Sequence, residues 1–125
     1  MEFWHYRRLE EGELRRLVEQ SPWCRLGLAD GGQPYVVPIH FRAEWQEGGP
    51  VLRMTSPAYG LKIQCLEADR RVAVEFDRRG EDWAESAVGF GFARFAPVPG
   101  PPPLLEIKVN LYQLTGRRYD IKKTP

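Results

Sequence analysis

Alternation between apolar and polar residues is the feature of this sequence that most limits its fold. From Leu105 to Leu111 every second residue is apolar, and the run from Arg71 to Asp77 alternates in the same way. A period of two residues turns one face of an extended chain toward a core and the other toward water. The pattern predicts six strands: Trp23–Ala29, Pro34–Phe41, Val51–Thr55, Arg71–Asp77, Trp83–Phe95 and Leu105–Leu114.

Two short helices accompany these strands. An amphipathic helix is predicted over Leu9–Gln20, because its leucines and valine fall on one face. A second helix is predicted near residues 57–69, with Ser56 as its N-cap and Pro57 in its first position. Since the helices do not alternate with the strands in βαβ units, we predict a mainly β fold, a six-stranded antiparallel barrel that is closed or split.

The chain has 125 residues, of which 42% are hydrophobic, and this suits one domain with a single core. An N-terminal arm and helix (residues 1–22) precede the barrel core (residues 23–95). The proline-rich run at residues 96–103 is predicted to be a stiff, extended connection, and a docking segment for an SH3-like partner is the alternative. A final strand and a basic tail follow (residues 104–125), with a turn at Thr115-Gly116 between them.

Charge and composition exclude several classes of protein. The net charge of +1 gives no general attraction to nucleic acid or to an anionic membrane. No apolar run approaches a membrane span, and Met1 to Arg8 lacks a signal peptide's apolar stretch, so a cytoplasmic protein is expected. Cys24 and Cys65 have no metal-ligand spacing, so no metal site is predicted. We interpret both as reduced core thiols, with a disulfide left open.

A candidate anion site lies at the predicted start of the second helix. The hydroxyl groups of Thr55 and Ser56, a glycine and the ammonium group of Lys62 are expected to converge there, and Pro57 to Gly60 contains no carboxylate. Free N–H groups at a helix N-terminus attract phosphate. The alternative interpretation is an ordinary capped helix with a solvated lysine. Pro38 interrupts a predicted strand, and a broken strand opposite this helix is a plausible wall for a ligand.

Three runs resemble a known family. RLGLADGGQPYVVPIHF, VLRMTSPAYGLK and RRVAVEFD follow one another between Trp23 and Phe92. In this order they resemble the FMN-binding split-barrel family related to pyridoxamine 5′-phosphate oxidase, and within it the nitroimidazole-resistance branch. The resemblance implies an antiparallel split barrel that forms a homodimer, with two FMN molecules bound at the subunit interface.

The resemblance also implies a cofactor site. The family's phosphate-binding positions fall on Thr55, Ser56 and Lys62. The strand that faces the flavin ring falls on Val37, Pro38, Ile39 and His40, and the segment that reaches the flavin from the partner chain contains Trp83 and Ser86. The chain departs from the branch at three positions: Thr55 replaces a histidine, Leu61 replaces a basic residue, and Glu85 replaces a tyrosine.

The leading functional hypothesis is therefore a small FMN-dependent oxidoreductase, with a small-molecule substrate and NAD(P)H as a candidate electron donor. FAD is an alternative flavin. A non-catalytic flavin or haem binder is the second hypothesis, and a cofactor-free dimeric module, favoured by Leu61 and Glu85, is the third. His40 is the one candidate for proton delivery, and a structural strand histidine is its alternative.

Overall fold

The computed structural model describes residues 2–123, so Met1 and residues 124–125 of the predicted arm and tail lie outside the described residues. The side chains of residues 2, 3, 122 and 123 also lie outside them. The described elements, in chain order, are β1 (Glu2–Arg8), α1 (Glu11–Gln20), β2 (Trp23–Asp30), β3 (Gln33–His40), β4 (Arg42–Gln46), β5 (Gly49–Pro57), α2 (Leu61–Ala68), β6 (Arg71–Arg79), β7 (Trp83–Val98) and β8 (Leu104–Lys123).

All strand pairs of the sheet are antiparallel. The order is β3-β2-β6-β7-β8-β5-β4, with β1 added to β8. The long strands β7 and β8 pair along most of their length and form the centre of the sheet. Strands β3 and β4 end the order on opposite sides, yet only Phe41 separates them in sequence. The sheet must therefore curl until its two ends approach each other, and the predicted mainly β, antiparallel class is confirmed.

The sheet has eight strands where the sequence predicts six. Strand β4 lies between the predicted strands Pro34–Phe41 and Val51–Thr55, where the sequence analysis predicts no strand. It pairs with β5, because Ala43 and Trp45 pack on the core and the chain reverses only at residues 47–48. Strand β1 lies in the predicted N-terminal arm, and it pairs with the end of β8.

The predicted turn at Thr115-Gly116 is wrong. Both residues lie inside β8, which continues through the predicted basic tail and pairs there with β1 and β7. Gly116 is buried, and a Cβ atom at this position would lie 2.7 Å from Leu14 Cδ2 and 2.8 Å from the Ser86 carbonyl oxygen. Glycine is present here because α1 packs closely on the strand, not because the chain reverses.

The predicted start of the second helix is also wrong. Ser56 and Pro57 continue β5, where they pair with Leu105 and Leu104 of β8. Helix α2 begins after Gly60, whose φ of +110° favours glycine. Cross-strand pairing with β8 thus extends β5 through the Ser-Pro pattern that is otherwise typical of a helix start.

The core lies between the inner face of the curled sheet and the two helices. Helix α1 contributes Leu17 and Val18, both almost completely buried. Cys24 and Cys65 are buried free thiols, as predicted, and burial raises the pKa of Cys24 to about 12. Neither helix in the described part of the chain has the length and apolar content needed to cross a bilayer.

Candidate functional site

The end of β5 and the first turn of α2 meet through Ser56 and Lys62. The Lys62 ammonium group donates a hydrogen bond to Ser56 Oγ, with 2.9 Å between the two atoms. Ser56 Oγ in turn donates to the Pro57 carbonyl oxygen at 3.0 Å. Ser56 is buried because it occupies an inward position on β5. The serine thus fixes the lysine at the start of the helix.

The Lys62 ammonium group is half-buried and has no carboxylate partner within the described part of the chain. No described residue forms an ion pair with it, and burial lowers its pKa. The first turn of α2 contains no acidic residue, and the Gly60 N-cap supplies no side-chain cap. The N–H groups of this turn and the ammonium group therefore offer positive charge and hydrogen-bond donors that a bound anion could use.

Thr55 points away from this pair. Successive side chains of a strand alternate between faces, and Thr55 is exposed on the outer face of β5. The structure therefore does not bring the Thr55 hydroxyl to the Ser56–Lys62 contact, contrary to the expected convergence. Leu61, which stands where the resembling branch has a basic residue, is 50% exposed. Tyr59, two residues before it, is 73% exposed. The connection between Ser56 and Lys62 thus exposes two large side chains with apolar surface.

Val37, Pro38, Ile39 and His40 form the end of β3, at one edge of the sheet. Pro38 does not interrupt the strand, since it pairs with Arg25 of β2 in a continuous register. An edge strand tolerates proline because only one of its sides joins the ladder. The path from His40 to Ser56 runs two residues to Arg42, across one strand spacing to Arg53 and three residues along β5. This path places the two Cα atoms within about 22 Å of each other.

His40 has two identifiable contacts. Its Nδ1 donates to the Pro22 carbonyl oxygen at 3.2 Å, and its ring lies against Trp23 with 3.3 Å between ring centroids. A carbonyl oxygen can only accept, so this contact places a hydrogen on Nδ1. The hydrogen bond to Pro22 supports a structural role for His40. The side chain is exposed, and its Nε2 atom remains available for a further contact.

Trp83 and Ser86 lie on β7, far from Lys62 in the same chain. Ser86 pairs with Arg117 of β8, whereas Ser56 pairs with Leu105 of the same strand. These β8 positions are twelve residues apart, which corresponds to roughly 40 Å along a strand. One chain therefore does not bring the two groups of predicted site residues together.

Glu85 is neutralised within the chain. Arg118 Nη1 lies 3.4 Å from Glu85 Oε2, and the Glu85 side chain is largely buried. Because neighbouring residues alternate, Glu85 and Ser86 are on opposite faces of β7. The Glu85 carboxylate thus faces away from the side of the sheet that Ser86 occupies. Trp83 shares the face of Glu85, and its ring lies 4.8 Å from the Arg118 guanidinium carbon.

The outer face of β7 and β8 exposes large apolar side chains that sequence reasoning did not identify as functional. Val88, Phe90 and Phe92 of β7 and Tyr112 of β8 are each at least 40% exposed, and Phe92 packs against Tyr112 with 5.6 Å between centroids. The inner positions of β7 hold small residues: Ala87, Gly89, Gly91 and Ala93. The alternation of small and large residues along β7 is the sequence signal that could have indicated this exposed apolar face.

Comparison with known proteins shows what this fold resembles. No protein-family model matches the chain, and no curated protein sequence matches it. Its structure is similar to that of a candidate 5-nitroimidazole antibiotic resistance protein from Bacteroides thetaiotaomicron, with a TM-score of 0.78 and 18% identity over 97% of this chain and 93% of that one. An FAD-binding protein from Mesorhizobium loti gives a TM-score of 0.75 with 24% identity, covering 90% and 97% of the two chains.

A further similar structure is a candidate pyridoxamine 5′-phosphate oxidase from Corynebacterium glutamicum. Its TM-score is 0.73 and its identity 16%, over 93% of this chain and 99% of that one. The chain therefore has the fold shared by nitroimidazole-resistance-like, FAD-binding and pyridoxamine 5′-phosphate oxidase-like proteins. The resemblance predicted from the three sequence runs is confirmed at the level of the fold.

Proposed function

We propose that this protein binds a flavin whose phosphate group lies on Ser56 and Lys62. The observation that carries the proposal is the half-buried Lys62 ammonium group, held by Ser56 and without a carboxylate partner among the described residues. A charge that is partly removed from water and left unpaired is unfavourable. A phosphate would satisfy both the ammonium group and the free N–H groups of α2.

The surroundings of Lys62 fit a flavin better than a free inorganic anion. Tyr59 and Leu61, which flank Gly60, provide exposed apolar surface close to Lys62 in the chain, and the Val37–His40 edge of β3 would offer backbone groups to a planar ring. We favour FMN because its terminal phosphate monoester suits one lysine and one helix N-terminus. FAD is the alternative, and it is the cofactor named for the similar Mesorhizobium loti protein.

A homodimer is part of this proposal. Trp83 and Ser86, which the family resemblance assigns to the flavin, are separated from Ser56 by roughly 40 Å of β8. A second copy would supply them. The exposed apolar face formed by Val88, Phe90, Phe92 and Tyr112 is suitable for such an interface, because dimer interfaces are enriched in aromatic residues.

The proposed activity is that of a small oxidoreductase that transfers reducing equivalents from NAD(P)H to a small-molecule acceptor. The flavin would supply the hydride chemistry, as cofactors do. The chain would bind the phosphate through Lys62 and Ser56, support the ring with β3, and exclude water through the dimer contact. His40 could deliver a proton from Nε2 while Nδ1 remains bonded to Pro22.

A visible absorption spectrum tests the proposal directly. The purified protein is mixed with FMN, or with FAD, and excess flavin is removed by gel filtration. We expect flavin bands to elute with a dimer and FMN to bind more tightly than FAD. Lys62→Ala should weaken binding by roughly 1–3 kcal/mol, the value of a charge-assisted contact. Lys108→Ala, a lysine of β8 outside this site, serves as the matched control.

Other spectra would overturn the proposal. A protein that remains colourless after flavin addition would be a cofactor-free module, and a haem spectrum would indicate a haem binder. Equal flavin affinity in Lys62→Ala and Lys108→Ala would remove Lys62 from the site. For the proton-delivery role, flavin-loaded His40→Ala should bind flavin normally and turn over more slowly. Unchanged turnover would leave His40 with only its structural contacts.

A further inference from the structure

Two arginines face each other across β1 and β8. Arg8 is the cross-strand partner of Arg117, and Arg117 pairs on its other side with Ser86 of β7. All three residues line an open groove of about 560 Å³, together with Thr115 and Tyr119. The groove therefore combines two guanidinium groups with three hydroxyl-bearing side chains.

The neighbouring arginines on the same two strands, in contrast to this pair, have carboxylate partners among the described residues. Arg7 and Arg118 are the adjacent residues in β1 and β8, and they point to the opposite face of the sheet. Arg7 lies 2.8 Å from Glu13, and Arg118 lies within 3.4 Å of both Glu85 and Asp120. Arg8 and Arg117, in contrast, form no ion pair with any described residue. The carboxylate partners at these adjacent positions therefore lie on the face opposite the groove.

Two acidic residues on the groove side of the sheet already pair with a different arginine. Asp77 is the cross-strand partner of Ser86, and its carboxylate is bonded to Arg25, which also contacts Glu75 at 2.9 Å. Like charges directly opposite each other in a sheet are destabilising. The sequence has 17 acidic residues, so the uncompensated pair does not follow from a lack of carboxylates.

Aromatic rings hold one of the guanidinium groups in place. The Arg117 guanidinium carbon lies 5.3 Å from the centroid of the Tyr6 ring, and Tyr6 in turn contacts Tyr119 with 5.9 Å between ring centroids. A guanidinium group that rests on an aromatic face keeps its N–H groups free for an acceptor. Carboxylate and phosphate groups match this geometry, because two of their oxygens can accept parallel N–H bonds from one guanidinium group.

We propose that the Arg8–Arg117 groove is a second anion site, which binds the carboxylate or phosphate group of a small organic molecule. The site differs from the Ser56–Lys62 site and lies at the other end of β8. Ser86, which lines the groove, belongs to the segment assigned to the partner's flavin. If the proposed function is correct, and this step rests on it, the groove holds the anionic group of the substrate beside that flavin.

Titration of the flavin-free protein tests the binding claim alone. Phenyl phosphate, benzoate and the neutral benzamide are added separately, and amide chemical shifts are followed by NMR. We expect at least one of the two anions to shift the resonances of Arg8, Ser86, Thr115 and Arg117, and we expect benzamide to shift none of them. The stronger of the two anions identifies the group that the site recognises.

Arginine variants then locate the site. Arg8→Gln/Arg117→Gln should weaken anion binding at least tenfold, while Arg94→Gln, which removes a guanidinium from another part of β7, should not change it. Lys62→Ala should also leave this binding intact. The proposal would be overturned if Arg94→Gln weakened anion binding as much as Arg8→Gln/Arg117→Gln does. It would also be overturned if only Lys62→Ala abolished anion binding.

The substrate role has a separate readout. In flavin-loaded protein, Arg8→Gln/Arg117→Gln should raise the KM for an anionic acceptor about tenfold without changing flavin affinity. If the protein takes up no flavin but the arginine-dependent shifts persist, the proposed function fails and the second anion site stands. If flavin binds and no anion shifts the groove resonances, the second anion site fails alone.

Discussion

Lys62 Nζ donates a hydrogen bond to Ser56 Oγ over 2.9 Å, and this contact joins the inner face of β5 to the first turn of α2. The two residues are six positions apart, and the left-handed backbone at Gly60 allows the helix to begin between them. Ser56 therefore acts as a strand residue that holds a lysine, not as a helix cap. The first prediction depends on this distinction.

Lys62→Met should separate binding from stability. Methionine keeps most of the side-chain volume and removes the charge, so flavin affinity should fall roughly 10- to 100-fold. Without flavin, the free energy of unfolding should change by less than about 1 kcal/mol, since burial of the charged ammonium group is itself unfavourable. Chemical denaturation and flavin titration measure the two quantities, and a collapse of stability would show that Lys62 is structural.

The pH dependence of stability provides an independent check on Lys62. Its folded-state pKa is lowered by burial, so the unfolded chain binds more protons in the alkaline range. Stability should therefore rise as the pH increases through the lowered pKa, and the rise should be smaller in Lys62→Met. Denaturation curves collected across alkaline pH give the slope, and identical slopes in both proteins would contradict the buried-charge interpretation.

Glu13 should contribute to acid sensitivity. Its hydrogen bond from Arg7 lowers the pKa of Glu13 to about 2. The contribution is present above the ordinary carboxyl pKa near 4.5 and is lost as the pH falls toward 2. Because Arg7 and Glu13 are at the surface, solvent screening keeps this contribution to stability small.

The variant Glu13→Gln retains an acceptor for the Glu10 N–H and removes the charge. Between pH 5 and pH 2 it should lose less stability than the natural sequence, as measured by thermal unfolding. Glu67→Gln, which removes an exposed carboxylate from α2, is the control. If Glu13→Gln lost as much stability between pH 5 and pH 2 as the natural sequence does, the Arg7–Glu13 pair would contribute nothing measurable.

Two glycines should respond oppositely to alanine. A Cβ atom on Gly91 would overlap the carbonyl oxygen of Asn110, at the bulge between β7 and β8. Gly91→Ala should therefore destabilise the fold by about 2 kcal/mol or more. Gly12 in α1 has open space around it, so Gly12→Ala should stabilise the fold by about 0.5–1 kcal/mol. Thermal unfolding of both variants tests this prediction, and equal shifts of the melting temperature in the two variants would contradict it.

Phe92→Glu should disrupt the proposed dimer. Phe92 is 53% exposed on the apolar face of β7, where a carboxylate would have to be buried in the interface. Analytical ultracentrifugation should show a shift from dimer to monomer, together with loss of flavin binding. Gln64→Glu, at an exposed position of α2, should remain dimeric. A dimeric Phe92→Glu protein with normal flavin affinity would place the interface on another surface.

Sequence reasoning succeeded where the signal is local. Alternation located β2, β6 and most of β7, and the apolar face of α1 indicated Leu17 and Val18 as core residues. It failed at Ser56-Pro57 and Thr115-Gly116, which have the composition of a helix start and a turn. At both places a distant strand or helix supplies the partner that changes the local preference: β8 extends β5 through Ser56, and α1 packs onto Gly116.

The candidate site was predicted in part for the same reason. Ser56 and Lys62 are close in sequence, and their contact arises from a short connection. Thr55 was expected beside them, but strand alternation places it on the other face. Leu61 and Glu85 were expected to weaken the site. Leu61 is exposed, and Glu85 pairs with Arg118.

The sequence alone determined the class of fold, the strands with regular alternation, and the proximity of Ser56 to Lys62, because each depends on neighbours within a few residues. Only the tertiary structure decided which charges are compensated. The segment containing Arg117 and Arg118 reads as a basic tail, yet pairing with β1 and β7 gives Arg118 two carboxylates and leaves Arg117 opposite Arg8. Such partners come from strands far apart in the chain, and no local pattern encodes them.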